Sequence, residues 1–96
     1  MPPFEFVENP EKPLAQSTLA SYKARLNALA KLGYRNKSLL LSNASSVRNF
    51  IEENQSKQMR NLYWAAVFYA LGRVDAERDN NAKILVDGFQ KNYYNK

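Results

Sequence analysis

Four polar side chains at the head of one apolar run are the residues best placed for chemistry. The stretch Ser56 to Gly72 reads SKQMRNLYWAAVFYALG, and Lys57, Gln58, Arg60 and Asn61 lie near its start. Ser56 is a good helix N-cap, and Gly72 is the usual residue just past a helix end. A helix is therefore expected over 57–71, with those four residues in its first turns. Cationic side chains beside the unpaired backbone N–H groups of a helix N-terminus suit a phosphate. The competing structural reading is that they solvate the exposed end of a core helix.

Other chemistry lacks its residues. The chain has no cysteine and no histidine, which excludes a disulfide framework, zinc, the usual imidazole base and a Ser-His triad. The only glycines are Gly33, Gly72 and Gly88, so no Gly-rich phosphate loop exists. Glu52 and Glu53 are helix neighbours and point apart. Asp75, Glu77 and Asp79 read as charge near a helix N-terminus, and Tyr93 and Tyr94 as packing and end residues. Neither an enzyme activity nor a cofactor is expected.

The elements that must position these residues are helical. In the central run, Met59, Leu62, Tyr63, Ala66, Val67 and Ala70 form one apolar line, and Trp64, Phe68 and Leu71 a second. A helix apolar over most of its girth is surrounded by other elements. A first helix is expected over 18–32, with Ser17 as N-cap and Gly33 as stop. Its buried face is Leu19, Tyr22, Leu26 and Leu29, and Lys23, Asn27 and Lys31 lie on the far side. A basic connector, Tyr34 to Asn43, is expected to hold one helical turn around 37–41, with Leu39 to Leu41 needing cover. A short helix follows over 45–54, with Val47, Phe50 and Ile51 as its apolar face. The last helix is expected over 76–93 on a stripe of Ala82, Leu85, Val86, Phe89 and Tyr93, with Gly88 marking a close approach. The fold class is thus an all-α, compact four-helix bundle around a central apolar helix.

Ninety-six residues suit one domain. All four prolines fall in residues 1–13, which are expected to form a flexible arm that buries little, although Phe4, Phe6 and Val7 can pin it to the body. Residues 14–96 are then a single helical domain. The chain carries +5; the arm holds Glu5, Glu8, Glu11 and Lys12, net −2, which leaves +7 on the domain. A basic body favours an anionic partner. No apolar run approaches the roughly 18 residues of a membrane span, and the N-terminus lacks a signal pattern. An intracellular place, cytoplasm or nucleus, is expected.

Three stretches, STLASYKARLNAL (Ser17 to Leu29), SSVRNFIEEN (Ser45 to Asn54) and SKQMRNLYWAAVFYAL (Ser56 to Leu71), carry a resemblance. Their order and spacing resemble the core-binding, SAM-like domain of tyrosine recombinases, the phage-integrase family. Thr18 and Tyr22 fit that family's Ser/Thr-x-x-x-Tyr pattern on the first helix. Val47, Phe50 and Ile51 match the second, and Ser56, Arg60 and Asn61 match the opening of the third, where Met59 stands in place of the usual threonine. The resemblance implies a module that embraces one side of duplex DNA in DNA integration and recombination, as in viral or mobile elements. The family's catalytic domain, with its His-x-x-Arg and nucleophilic tyrosine, has no place on a chain without histidine. The chain is then either a piece of a recombinase or a stand-alone protein keeping the DNA-binding half.

The leading expectation is a DNA-binding module. Lys23, Arg25 and Lys31 of the first helix, Arg35 and Lys37 of the connector, and Lys57 and Arg60 would meet phosphates, with Asn61, Gln58 or Arg60 reaching base edges. The alternative is a protein-interaction or self-associating module. It rests on the 12% aromatic content, above all Tyr63, Trp64, Phe68 and Tyr69.

Overall fold

The computed structural model describes residues 3–5, 15–54, 56–72, 75 and 77–94. These form five helices, α1 (Gln16–Ala30), α2 (Lys37–Ser42), α3 (Ala44–Glu52), α4 (Lys57–Leu71) and α5 (Asn80–Tyr94), with no strand among the described residues. The expected all-α bundle is what forms. The single turn anticipated in the connector is α2.

Local chemistry sets the ends. α1 stops two residues before Leu32 because Gly33, at φ 104°, closes a Schellman motif. Gly33 N donates to Ala30 O at 3.0 Å and Tyr34 N to Leu29 O at 3.1 Å. Its start also differs from expectation. Ala15 occupies the N-cap position without a side-chain bond, and Ser17 lies inside the first turn. Asn36 caps α2 by accepting from Leu39 N at 2.9 Å. Asn43 occupies the N-cap position of α3 but gives that helix no side-chain bond, because its Nδ2 donates back to Leu39 O. Ser56 caps α4, its Oγ accepting from Met59 N at 3.4 Å, and Gly72, at φ 61°, ends it. The last helix begins at Asn80. Asp79 Oδ1 accepts from Asn81 N at 2.9 Å and Ala82 N at 3.4 Å, while Asp75 Oδ1 accepts from Glu77 N and Arg78 N in a separate turn. Two aspartates cap in succession, and only the second opens the helix. Ala76, where the helix was expected to begin, lies outside the described residues.

α4 is the central element and packs against α1, α3 and α5. Trp64 is fully buried at its middle, with Tyr63, Ala66, Val67 and Leu71 beside it. Leu26 and Leu29 of α1, Leu40 of α2, Val47 and Ile51 of α3, and Ala82 and Leu85 of α5 complete the core. Tyr93, the last of the α5 stripe, lies outside the residues whose side chains are described. Gly88 lets α5 approach α4 closely. A Cβ there would stand 2.5 Å from Trp64 Cη2 and 2.6 Å from Cζ2.

Phe4 is part of this core, at 7% exposure. Its N–H donates to Asn27 Oδ1 at 3.0 Å, and Glu5 N donates to Arg35 O at 2.7 Å. Glu5 Oε2 accepts from Asn36 Nδ2 at 2.6 Å. Residues 3–5 therefore lie against the body, pinned by the phenylalanine and by the backbone between α1 and α2. Phe6, Val7 and the remainder of the expected arm lie outside the described residues.

Candidate nucleic-acid interface

The eight cationic and polar residues expected to meet DNA separate into three groups. Lys57 and Asn61 face a groove between α1 and α4. Arg25 and Arg60 are half-buried and engaged in packing. Lys23, Lys31, Arg35 and Lys37 are exposed along α1 and the connector to α2.

The groove, of about 640 Å3, is lined by Ser17, Thr18, Ser21 and Tyr22 of α1 and by Lys57, Gln58, Asn61, Leu62 and Ala65 of α4. That volume is in the range of about 300–1,000 Å3 usual for ligand sites. Four hydroxyl-bearing residues, Tyr22 among them, lie on one wall and an ammonium and two amides on the other. The helical spacing explains it: 17, 18, 21 and 22 are i, i+1, i+4 and i+5, and 57, 58, 61, 62 and 65 repeat the pattern. Neither α1, α2 nor α4 contains a carboxylate. From Leu14 to Ile51 the sequence has no Asp or Glu at all. The groove thus holds positive charge with no acidic side chain on either of its walls.

Asn61 lines this groove while its Oδ1 is buried with no donor to meet it. Among the N-terminal amides of α4, Met59 N is taken by Ser56 Oγ, and Arg60 N begins the helical ladder on Ser56 O. The cluster of free amides expected behind Lys57 is therefore smaller than the sequence suggests.

Arg60 turns away from the groove. Its guanidinium donates to the carbonyl of Asn54. Asn54 Nδ2 in turn satisfies Phe50 O and Ile51 O at the end of α3. Arg60 thereby joins the turn after α3 to the first turn of α4. Arg25 also serves packing. Its Nη2 lies 3.8 Å from Met59 Sδ, and its Cζ stands 5.9 Å from the Tyr63 ring centroid, within cation–π reach. Its Nε is buried without an acceptor.

Lys23 lines a separate small hollow with Pro3, Phe4, Leu26 and Asn27. Lys31, Arg35 and Lys37 are not among the residues lining the groove, and the Arg35 carbonyl is held by Glu5 N. Ser17, Ser21, Leu62 and Ala65 were not singled out as site residues. The hydroxyl repeat on the first turns of α1 was the signal that could have found the two serines.

At Tyr22 and Ala65 the groove adjoins an aromatic cleft of about 230 Å3, lined also by Phe68, Tyr69 and Phe89. Phe68 and Phe89 stack at 4.4 Å with 17° between planes, and Tyr22 and Tyr69 lie 5.5 Å apart. Phe68 is 38% exposed, so the central helix is not covered all round.

No family model matches the chain, and neither does a curated protein or a solved structure. Among the described residues no group of His, Cys, Asp or Glu is gathered to hold a metal ion, and no helix is long and apolar enough to cross a membrane.

Proposed function

We propose that the protein is a DNA-binding module that holds duplex DNA against the α1–α4 groove. The observation that carries this reading is the groove itself, with Lys57, two amides and four hydroxyl-bearing residues on its walls and no carboxylate on either helix. Ammonium, amide and hydroxyl groups are the side-chain donors that meet phosphate oxygens. The exposed Lys23, Lys31, Arg35 and Lys37 extend the positive surface over α1 and its connector. Thr18, Tyr22 and Asn61, three of the residues behind the resemblance to recombinase core-binding domains, line the same groove. On this reading the chain binds DNA and leaves catalysis to another domain or protein.

The alternative is a protein-interaction module. Its support is exposed apolar surface, Phe68 at 38% and Leu32 at 51%. Leu32 lies beyond the end of α1 and is not among the residues lining the aromatic cleft. The electrostatic observation favours DNA.

The test is a titration of random duplex DNA at a series of salt concentrations. Phosphate contacts give an affinity that falls linearly with salt on logarithmic axes. Absence of binding at low salt defeats the reading and favours the interaction module.

A further inference from the structure

We infer that the α1–α4 groove and the aromatic cleft beyond Tyr22 form one track for an unpaired nucleic-acid strand, with a base stacked on Phe68 and a phosphate held by Lys57. The inference rests on the groove being a phosphate-binding surface and adds the kind of strand it takes.

Three observations lead to it. Tyr22 and Ala65 line both the groove and the cleft, so the two adjoin. The cleft's walls are aromatic, from Tyr22, Phe68, Tyr69 and Phe89, and Phe68 is exposed at its mouth. At about 230 Å3 the cleft is smaller than the roughly 300–1,000 Å3 of a drug-sized ligand site, and so suits a single planar ring. Proteins that bind single strands combine a basic groove along the backbone with aromatic side chains under the bases. Both parts are present here, side by side, on a surface whose two main helices carry no acid.

Spacing fixes the geometry of the strand. Lys57 and Phe68 are eleven positions apart on α4, about 16 Å along the helix axis. The phosphate that Lys57 holds therefore belongs to a different nucleotide from the one whose base enters the cleft. A base inside an intact duplex is stacked and paired, and cannot enter such a cleft without leaving the helix. The cleft is thus selective for a strand whose bases are free, whereas Lys57 meets the phosphates of either form.

The experiment uses fluorescence anisotropy with a labelled oligothymidine of about 16 nucleotides, the upper range of a single-strand site, and a random duplex of the same length. Phe68→Ala is expected to weaken the single strand by about 5- to 150-fold, the range of one lost base–aromatic stack, and to leave the duplex within about twofold. Phe68→Tyr should bind like the parent, and Phe68→Leu, which keeps apolar bulk but no ring, should resemble Phe68→Ala. A single 2-aminopurine in the strand reads stacking directly in the unsubstituted protein and is expected to be quenched on binding. Circular dichroism checks that each variant is folded. The inference is overturned if Phe68→Leu binds the single strand like the parent, or if the 2-aminopurine stays bright. Either result leaves duplex binding through the groove intact. Binding to neither nucleic acid at low salt removes the groove reading and this inference together. Sedimentation supplies the remaining outcome: a parent dimer that Phe68→Ala converts to monomer, with unchanged strand affinity, makes the cleft a contact between two copies and overturns the proposal.

Discussion

Trp64 and Gly88 are a matched pair. The indole is fully buried, and the missing Cβ of Gly88 is the space its six-membered ring occupies. Glycine inside a helix costs about 1 kcal/mol relative to alanine, so propensity alone predicts that Gly88→Ala stabilises α5. Packing predicts the opposite. The clash would fall on ring atoms of a buried tryptophan, and overpacking a core costs roughly 1–3 kcal/mol. We expect packing to prevail and Gly88→Ala to lower the melting temperature. In a Trp64→Phe background, where the ring is smaller, the same change should cost less, and a double-mutant cycle of thermal melts measures that coupling. Additive effects would mean the two residues do not touch. Trp64→Ala alone should cost roughly 3–5 kcal/mol, the range for truncating a buried aromatic.

At the scale of elements, two joints decide how the helices meet. The first is Arg60, which bridges the end of α3 to the start of α4 through Asn54 O. A hydrogen bond to a charged donor contributes about 1.5–3 kcal/mol, so Arg60→Ala should destabilise the fold by about that amount. Its effect on duplex affinity, measured well below the melting temperature, should be smaller than that of Lys57→Ala; the reverse ranking would return Arg60 to the binding surface. The second joint is Phe4. Burying a phenylalanine stabilises by about 1.5–3 kcal/mol, so Phe4→Ala should lower stability by a comparable amount in a denaturant titration. An N-terminal arm with nothing to bury would show no such loss. Both joints illustrate what the sequence could and could not disclose. The helices and their apolar faces were legible, because Leu26, Leu29, Val47, Ile51 and Leu85 recur at helical spacing and Gly33 and Gly72 stop what precedes them. Lys57 and Asn61 were legible as residues of the first turns of α4 because Ser56 marks where that helix begins. Arg60 was not distinguishable from Lys57, since its partner is a backbone carbonyl that only the α3–α4 turn brings near. The groove was not legible either, because its second wall comes from α1 some forty positions away, and helix crossing depends on side-chain packing that no local pattern encodes.

Across the whole molecule, the charge is segregated rather than merely positive. α1, α2 and α4 carry cations and no acid, whereas Asp87 lies within α5 and Asp75, Glu77 and Asp79 precede it. α3 stands between these regimes, its Arg48 paired with Glu52 at 3.1 Å and reaching Ile84 O of α5 at 3.4 Å. A polyanion should therefore approach over α1 and α4, where no carboxylate opposes it, and meet α5 only at the Phe89 wall of the cleft. Counterion release turns this into a measurement, because each phosphate neutralised on a duplex adds about 0.9 to the salt slope. Lys57→Ala should reduce the slope by about one and weaken random duplexes uniformly, as expected of a phosphate contact. Replacing Lys31, Arg35 and Lys37 together by alanine should reduce it further if the strand continues past the groove onto the connector, and leave it unchanged if contact is confined to the groove. Lys83→Ala and Lys91→Ala, exposed on α5, should leave both slope and affinity at parental values. If these two matter as much as Lys57, the charge acts as a diffuse net field and the α1–α4 face is not the binding surface. If none of the six matters, the positive charge of the body serves some purpose other than holding DNA.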